Sequence, residues 1–285
     1  MSRADLLFEL GTEELPPKSL MTLSKALELS VTKQLKELGL AHTEVTSYAT
    51  PRRLTVMVKD LQLQQTDRQE RRRGPSIQAP PNAIDGFARS CNVSKNELTV
   101  TDTEKGQYYE FDRTIKGLKT LDLMGSLIQK ALADLPIAKR MRWGDNDVEF
   151  VRPAKWLLAL YGEDVLDINC LGLSAGRTSR GHRFHSEALV EHASAVDYEQ
   201  SMLEAGHVVA SFTARQATIK EQIEALAESV KGQLADDQDL LDEVTGLVEF
   251  PRSVLGRFDE SFLEVPQECL VSSMRDHQKY FHVMD

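Results

Sequence analysis

One segment constrains this chain more than any other. Leu20, Leu23, Leu27, Val31, Leu35 and Leu38 recur at three- and four-residue intervals, which lines them along one stripe of an α-helix. Pro16 and Pro17 stand at its opening, where a missing N–H costs no hydrogen bond, and Gly39 supplies a left-handed exit. Before it, Leu6, Phe8 and Leu10 alternate with Leu7 and Glu9 and end at Gly11. After it come apolar runs at 45–48 and 54–58, parted by Thr50, Pro51, Arg52 and Arg53. A stripe that long has to be covered, and strands with alternating apolar faces can cover it. The order strand, helix, strand, strand predicts an α+β chain of mixed or antiparallel sheets with packed helices.

The full 285 residues exceed one minimal domain. Three parts are expected: a strand-helix-strand-strand module at 1–62, a basic arm with helices and a hairpin at 63–145, and a mixed sheet with acidic helices at 146–285. Residues 62–82 are polar and rich in arginine and proline, and read as an exposed loop or long hairpin arm. A short helix near 82–91 and a hairpin turning at Glu104, Lys105 and Gly106 follow. Leu121, Met124, Ile128, Leu132 and Leu135 mark a second amphipathic helix over 118–135, closed by Pro136. Strands are expected at 147–151, 156–161 and 165–171. The middle one is apolar on both faces, which suits the interior of a sheet. Thr213 with Gln216 resembles a capping box before a helix whose inward face is Ile219, Ile223, Leu226 and Val230, ending at Gly232. Asp236, Asp237 and Asp239 suit the N-terminus of the next helix. Short strands at 247–250, 253–258 and 280–283 flank a helix near 266–275. The last residues run into a strand without a polar tail, as in a chain cut at a domain boundary.

Charge is unevenly spread. The formal net charge is −10, which by itself argues against nucleic acid as a partner. Residues 1–184, however, hold 27 Lys and Arg against 24 Asp and Glu, whereas 185–285 hold 7 against 20. A mildly basic segment is joined to a strongly acidic one. The three cysteines, Cys91, Cys170 and Cys269, are widely spaced and form no C-x-x-C, so a disulfide framework or zinc ribbon is not expected and a reducing compartment is. The apolar run at 6–10 is too short for a signal peptide, and no stretch approaches the ~18–20 apolar residues of a membrane span. The chain reads as cytoplasmic.

Common catalytic signatures are missing: no P-loop, no G-x-G-x-x-G, no H-E-x-x-H and no G-x-S-x-G. Glu13 and Glu14 are adjacent, and neighbours on a strand or helix diverge, so they read as a solvated or capping pair rather than an acid/base pair. His182 and His185 cluster, but a metal site would need ligands from elsewhere, such as His277 or His282, and a polar turn is the simpler reading. The arginines say more. Arg52 and Arg53, Arg71, Arg72 and Arg73, Arg140 and Arg142, Arg152, and Arg177, Arg180 and Arg183 all lie in the basic segment. Guanidinium groups bind phosphate bidentately and stack on bases. Taken as a set they slightly favour phosphate contact, although any single one is better explained by solubility and local ion pairs.

Eight motifs then occur in order: FELGTEELPP at 8–17, ATPRRL at 49–54, RGP at 73–75, MRWG at 141–144, FVRP at 150–153, RGHRF at 180–184, LVEFP at 247–251 and HQKYF at 277–281. Together they resemble the N-terminal portion of the beta subunit of bacterial heterotetrameric glycyl-tRNA synthetase, over essentially the entire chain. The resemblance implies domains similar to those of the phenylalanyl-tRNA synthetase beta chain. It also implies a role in ATP-dependent attachment of glycine to its tRNA. The partners implied are glycine tRNA, held on its acceptor side, and the catalytic alpha subunit, with no DNA and no membrane. Neither a catalytic residue nor a cofactor is expected in this chain; ATP with Mg belongs to the alpha chain. The HD-type and anticodon-binding domains of the family lie beyond this portion. The residues expected to contact tRNA are Arg52, Arg53, Arg71, Arg72, Arg73, Arg142, Arg152, Arg180, His182, Arg183 and Lys279. Two alternatives stand beside this reading: an assembly scaffold that never touches RNA, and a hydrolytic or editing domain using His182, His185 or His277.

Overall fold

The structure, a computed structural model, describes residues 3–284 apart from 105, 146 and 187. In chain order the first elements are β1 (Arg3–Thr12), α1 (Pro17–Glu37), β2 (Glu44–Thr50), β3 (Arg53–Gln62), β4 (Arg68–Ser76), α2 (Pro81–Cys91), β5 (Thr99–Thr103), β6 (Gly106–Ile115) and α3 (Thr120–Ala133). Then come β7 (Met141–Arg142), β8 (Glu149–Phe150), β9 (Ala154–Tyr161), β10 (Asp164–Val165), β11 (Asn169–Cys170), β12 (Leu173–Ser174), β13 (Thr178–Arg180) and β14 (Leu189–Glu191). The acidic part holds α4 (Tyr198–Glu204), α5 (Phe212–Ser229), β15 (Gln233–Leu234), α6 (Gln238–Thr245), α7 (Gln267–Ser272) and β16 (Val283–Met284). The chain divides into two units, Met1–Leu63 with Leu121–Asp285, and Gln64–Thr120. Helices and antiparallel sheets make the α+β class expected from the sequence.

The first unit is built on a five-stranded sheet in the order β10-β9-β1-β3-β2, antiparallel throughout. Leu6, Phe8 and Leu10 lie opposite Val58, Val56 and Leu54 in β3, and Phe8 and Leu10 opposite Ala159 and Leu157 in β9. That row faces the core made by Leu20, Leu23, Leu27, Val31 and Leu35 of α1 and Met124, Ile128 and Leu132 of α3. Each such buried side chain contributes about 1.5–3 kcal/mol relative to exposure, so the stripe, more than helix propensity, holds α1 in place. Gly39 ends α1 at φ 65°, with Leu40 N–H bonded to Leu35 O, the left-handed exit that the sequence called for. On the sheet's other face, Leu7, Met57, Leu158 and Leu160 pack on Val190, Tyr198 and Met202. Both faces are therefore covered, and the doubly apolar β9 lies inside the sheet between β1 and β10. The strand expected at 165–171 is split into β10 and β11.

In the second unit β6 is the middle of a three-stranded antiparallel sheet, β4-β6-β5, with Ile84, Ala88 and Cys91 of α2 packed near Phe111. The polar stretch expected as a loop or arm contains β4. Polar cross-strand pairs hold it to β6: Arg71 with Asp112 at 2.9 Å, Arg113 with Glu70 at 2.6 Å, Gln69 with Thr114 at 2.9 Å. Such pairs stabilise a ladder without any apolar alternation for the sequence to show. The expected hairpin joins β5 to β6; its Lys105 lies outside the described residues.

The acidic part departs from expectation at both ends of α5, at Val230, which is exposed rather than inward, and at the expected strands, of which 280–283 is reduced to a strand at Val283–Met284. Helix α5 starts two residues earlier than the Thr213–Gln216 reading, with Ser211 as its cap, whose Oγ accepts from Ala214 N–H at 3.2 Å. The stretches 247–250 and 253–258 are not strands. Among the described residues no neighbouring strand offers them a ladder, and Gln222 holds the segment instead, accepting from Ser253 N–H at 2.7 Å and donating to Pro251 O at 3.3 Å.

Candidate functional site

Several of the eight motifs, far apart in sequence, meet at one end of the five-stranded sheet. The register explains why. Gly11 of β1 lies opposite Arg53 of β3 and Trp156 of β9. A Cβ at Gly11 would stand 1.9 Å from the Trp156 ring carbons, so only glycine lets the indole lie across this strand. Strand alternation places Leu7, Glu9, Thr55 and Arg53 on the same face, the one away from α1.

Arg53 is 0 % exposed. Its Nε donates to Thr50 Oγ1 (3.0 Å) and Glu249 Oε1 (3.2 Å), Nη1 to Ser179 Oγ (3.2 Å), and Nη2 to Arg180 O (3.0 Å) and Glu249 Oε1 (3.0 Å). Glu9 Oε2 stands 3.6 Å from Nη1. Burial opposes the guanidinium charge, but Glu249 and Glu9 outweigh it and hold its pKa above the ordinary arginine value. Burial likewise opposes the Glu249 carboxylate, and Arg53 and Thr50 outweigh that too, holding it below the usual range. Glu9 accepts from Trp156 Nε1 (2.5 Å), from Ser179 Oγ, and from Tyr198 OH (2.5 Å), which also lies 2.9 Å from Thr55 Oγ1. Burial and Glu9 push the Tyr198 phenol well up, keeping it a proton donor. Expected as a ligand contact, Arg53 is instead an internal tie. Its Nη2 fixes the Arg180 backbone, so it shapes the rim without reaching a ligand.

Around this buried network lies a basic rim. The guanidinium carbons of Arg52, Arg53 and Arg180 lie 5.6, 5.6 and 5.7 Å from the Trp156 ring centroid, within cation–π range. Arg52 is half-buried, its Nε and Nη1 have no hydrogen-bond partner among the described residues, and burial lowers its pKa. Arg180 and Arg183 are exposed. Arg183 bonds Glu13 at 2.9 Å and Glu14 at 2.8 Å, and Lys155 stands 3.2 Å from Glu13. Burial opposes the Glu13 carboxylate, but hydrogen bonds from Lys155 and Arg183 outweigh it and hold its pKa down. These adjacent glutamates do converge, contrary to expectation, because they lie in the bend after β1, where strand alternation no longer separates them. Arg152 donates to Glu14 O at 2.9 Å. His182 Nδ1 accepts from Phe184 N–H at 3.2 Å, and burial lowers the His182 pKa.

Arg52, Arg152, Arg180 and Arg183 are thus brought together, linked through Trp156, Glu13 and Glu14, with His182 near enough to Arg52 to feel its charge. Arg142 is exposed and pairs with Asp147 at 3.4 Å. Lys279 pairs with Glu243 at 3.1 Å. Arg71, Arg72 and Arg73 belong to the second unit: Arg71 pairs with Asp112 and Glu110, Arg72 donates to Ser90 O at 3.0 Å, and Arg73 lies 4.0 Å over Tyr108. Among the described residues no group of three or more His, Cys, Asp or Glu is placed to hold a metal ion, and no helix is long and apolar enough to cross a membrane. Sequence reasoning gave no site role to Glu9, Trp156, Tyr198 or Glu249, although Glu9 and Glu249 fall inside two of the eight motifs. A glutamate inside the apolar run 6–10 of β1 was the available signal.

The glycyl-tRNA synthetase beta subunit family matches residues 6–285. Named relatives are glycine–tRNA ligase beta subunits: that of Hahella chejuensis is 43 % identical over 292 residues, that of Marinobacter nauticus 45 % over 293, and that of Chromohalobacter salexigens 45 % over 291. Each alignment takes in 100 % of this chain and 42 % of the relative.

Proposed function

This chain belongs to the glycyl-tRNA synthetase beta subunit family, and from that membership we propose that it works within glycine–tRNA ligase as the N-terminal portion of its beta subunit. It helps hold the acceptor side of glycine tRNA and the alpha chain, and does no chemistry itself. ATP, with Mg, and the activation of glycine belong to the alpha chain of a cytoplasmic heterotetramer. The observation that carries the RNA contact is the gathering of Arg52 and Arg180 at one indole, with Arg183 held near Arg52 by Glu13 and Glu14, from segments more than a hundred residues apart. Arg180 and Arg183 are exposed, and guanidinium at such a rim suits phosphate.

Replacing both Arg180 and Arg183 by alanine in the assembled enzyme tests this. Affinity for glycine tRNA should fall about ten-fold at moderate salt, and the log–log salt slope should flatten by about two. Thermal stability should hardly change, since both side chains are exposed. Wild-type affinity at low and moderate salt would sink the proposal.

A protein-facing role for the acidic part has its own support. Val254 is 83 % exposed, and Phe258, Phe262 and Leu263 are more than half exposed. A run of apolar side chains this open is the usual mark of an interaction surface.

A further inference from the structure

The turn between β13 and β14 carries a feature that the arginine rim does not explain. Phe184 is 82 % exposed. Its ring lies 6.1 Å from that of His182, which stacks on His185 at 4.3 Å with 23° between the planes. His185 in turn meets Phe250 at 6.2 Å, and Phe250 meets His207 at 5.8 Å, both edge to face. Five rings therefore touch in sequence. Two of them, Phe184 and His185, are openly exposed, and Phe250 is 40 % exposed.

The platform is held in shape from beneath. His182 Nδ1 accepts the Phe184 N–H, Ser186 N–H bonds His182 O at 3.0 Å, and His182 N–H bonds Gly206 O at 2.7 Å. A Cβ at Gly181 would meet Ser186 Oγ at 2.5 Å, so the turn closes tightly on itself. An exposed phenylalanine on a fixed turn has no role in the core. It offers a flat apolar face to something that arrives from outside. Guanidinium groups border it in sequence, Arg180 four residues before Phe184 and Arg183 immediately before.

We propose that the rings of Phe184, His182, His185 and Phe250 form a stacking platform for unpaired ribonucleotides, with Arg180 and Arg183 at their phosphates. The inference rests on the tRNA-binding reading given above and names the part of the RNA involved. Every base has a π face, so stacking on a ring row needs no sequence and no base pairing, whereas duplex RNA buries those faces. Burial keeps the His182 pKa low, so its ring lies neutral against His185 and the stacked pair does not repel itself.

Phe184→Ala, Phe184→Leu and Phe184→Trp in the assembled enzyme separate the possibilities. The alanine and leucine variants should bind a short single-stranded oligoribonucleotide about ten-fold more weakly, the worth of one stacked base, while the tryptophan variant restores binding. Binding of a blunt RNA duplex should not change. Glycine tRNA should show the same loss. If trimming its unpaired 3′ end abolishes the difference between wild type and variant, that end is the source; if the difference persists, a loop is. Unchanged single-strand binding in the alanine variant overturns the platform, as does a loss shared equally by duplex, or a failure of subunit assembly with RNA binding intact. The Arg180 and Arg183 variants read the phosphate contact separately. The platform can thus fail while tRNA binding stands.

Discussion

Arg52 and Arg53 show how one residue of register decides a role. They are neighbours in a basic motif, yet Arg53 begins β3 on the face shared with Glu9, and Arg52 lies in the turn before it. The sequence showed the pair and the strand that follows; it did not show that the second face of β1 would be covered, which is what turns Arg53 inward. Glu249 lies in the LVEFP motif, but its pairing with Arg53 was equally hidden, because the expected strand there is a stretch without regular structure. Its removal has a definite consequence. Glu249→Gln leaves Arg53 buried, with Glu9 at 3.6 Å as its remaining carboxylate, and should cost about 3–5 kcal/mol in denaturant unfolding. The pH dependence has a fixed sign. Glu249 is held below its usual 4.5, so the stability it gives is present above that value and is lost as pH falls through the lower folded one. His192, fully buried, is held below its usual 6.5 by burial; its neutral form fits the fold, and stability falls as acid charges it. Thermal melts should therefore drop in two stages on acidification, and Glu249→Gln should shrink the lower stage, to which Glu13, Glu28 and Asp237 also contribute, and keep the upper.

At the scale of elements, what was legible followed apolar periodicity. The α1 stripe, the alternation of β1 and the double-faced β9 were readable because each buries a row of apolar side chains at a helical or strand period. Strand β4 was not, since its neighbours are charges paired across the ladder, and a charged strand and a charged loop look alike in sequence. The apolar stretches at 247–258 erred the other way: strand-like composition builds no strand where no edge receives it. The end of α5 is a finer case. Gly232 was the expected terminator, but the left-handed residue is Lys231, at φ 59°. Lys231 N–H bonds Glu228 O at 2.9 Å and Gly232 N–H bonds Ala227 O at 3.0 Å, so Gly232 is one residue past the position that needs freedom. Lys231→Gly should then stabilise the chain by about 0.5–1 kcal/mol. Gly232→Ala should destabilise it, because a Cβ there would stand 2.2 Å from Val283 Cγ1. Chemical denaturation of the two variants side by side reads the opposite signs.

For the molecule as a whole, the proposed tRNA contact raises the question of how a chain of net charge −10 would approach a polyanion. The separation of charge along the sequence supplies the answer. On that proposal the arginine rim would act at contact distance, where ion pairs form and counterions leave, whereas exposed acidic residues elsewhere in 185–285 would act from further away and on any RNA in the neighbourhood. Short-range attraction governs how long a complex lasts, and long-range repulsion governs how often it forms. The two are separable by substitutions far from the rim in sequence. Asp236, Asp239, Glu260 and Glu264 are exposed, and changing them together to Asn or Gln removes four negative charges while leaving the guanidinium groups in place. RNA association with the assembled enzyme should then speed up severalfold at about 0.02 M salt, with dissociation unchanged, and the gain should fade near 0.15 M, where the screening length is about 8 Å. Stopped-flow mixing across that salt range measures both rates. An effect on dissociation instead would mean that these carboxylates touch the RNA, and no effect at low salt would mean that the acidic part is turned away from it or already covered by a protein partner.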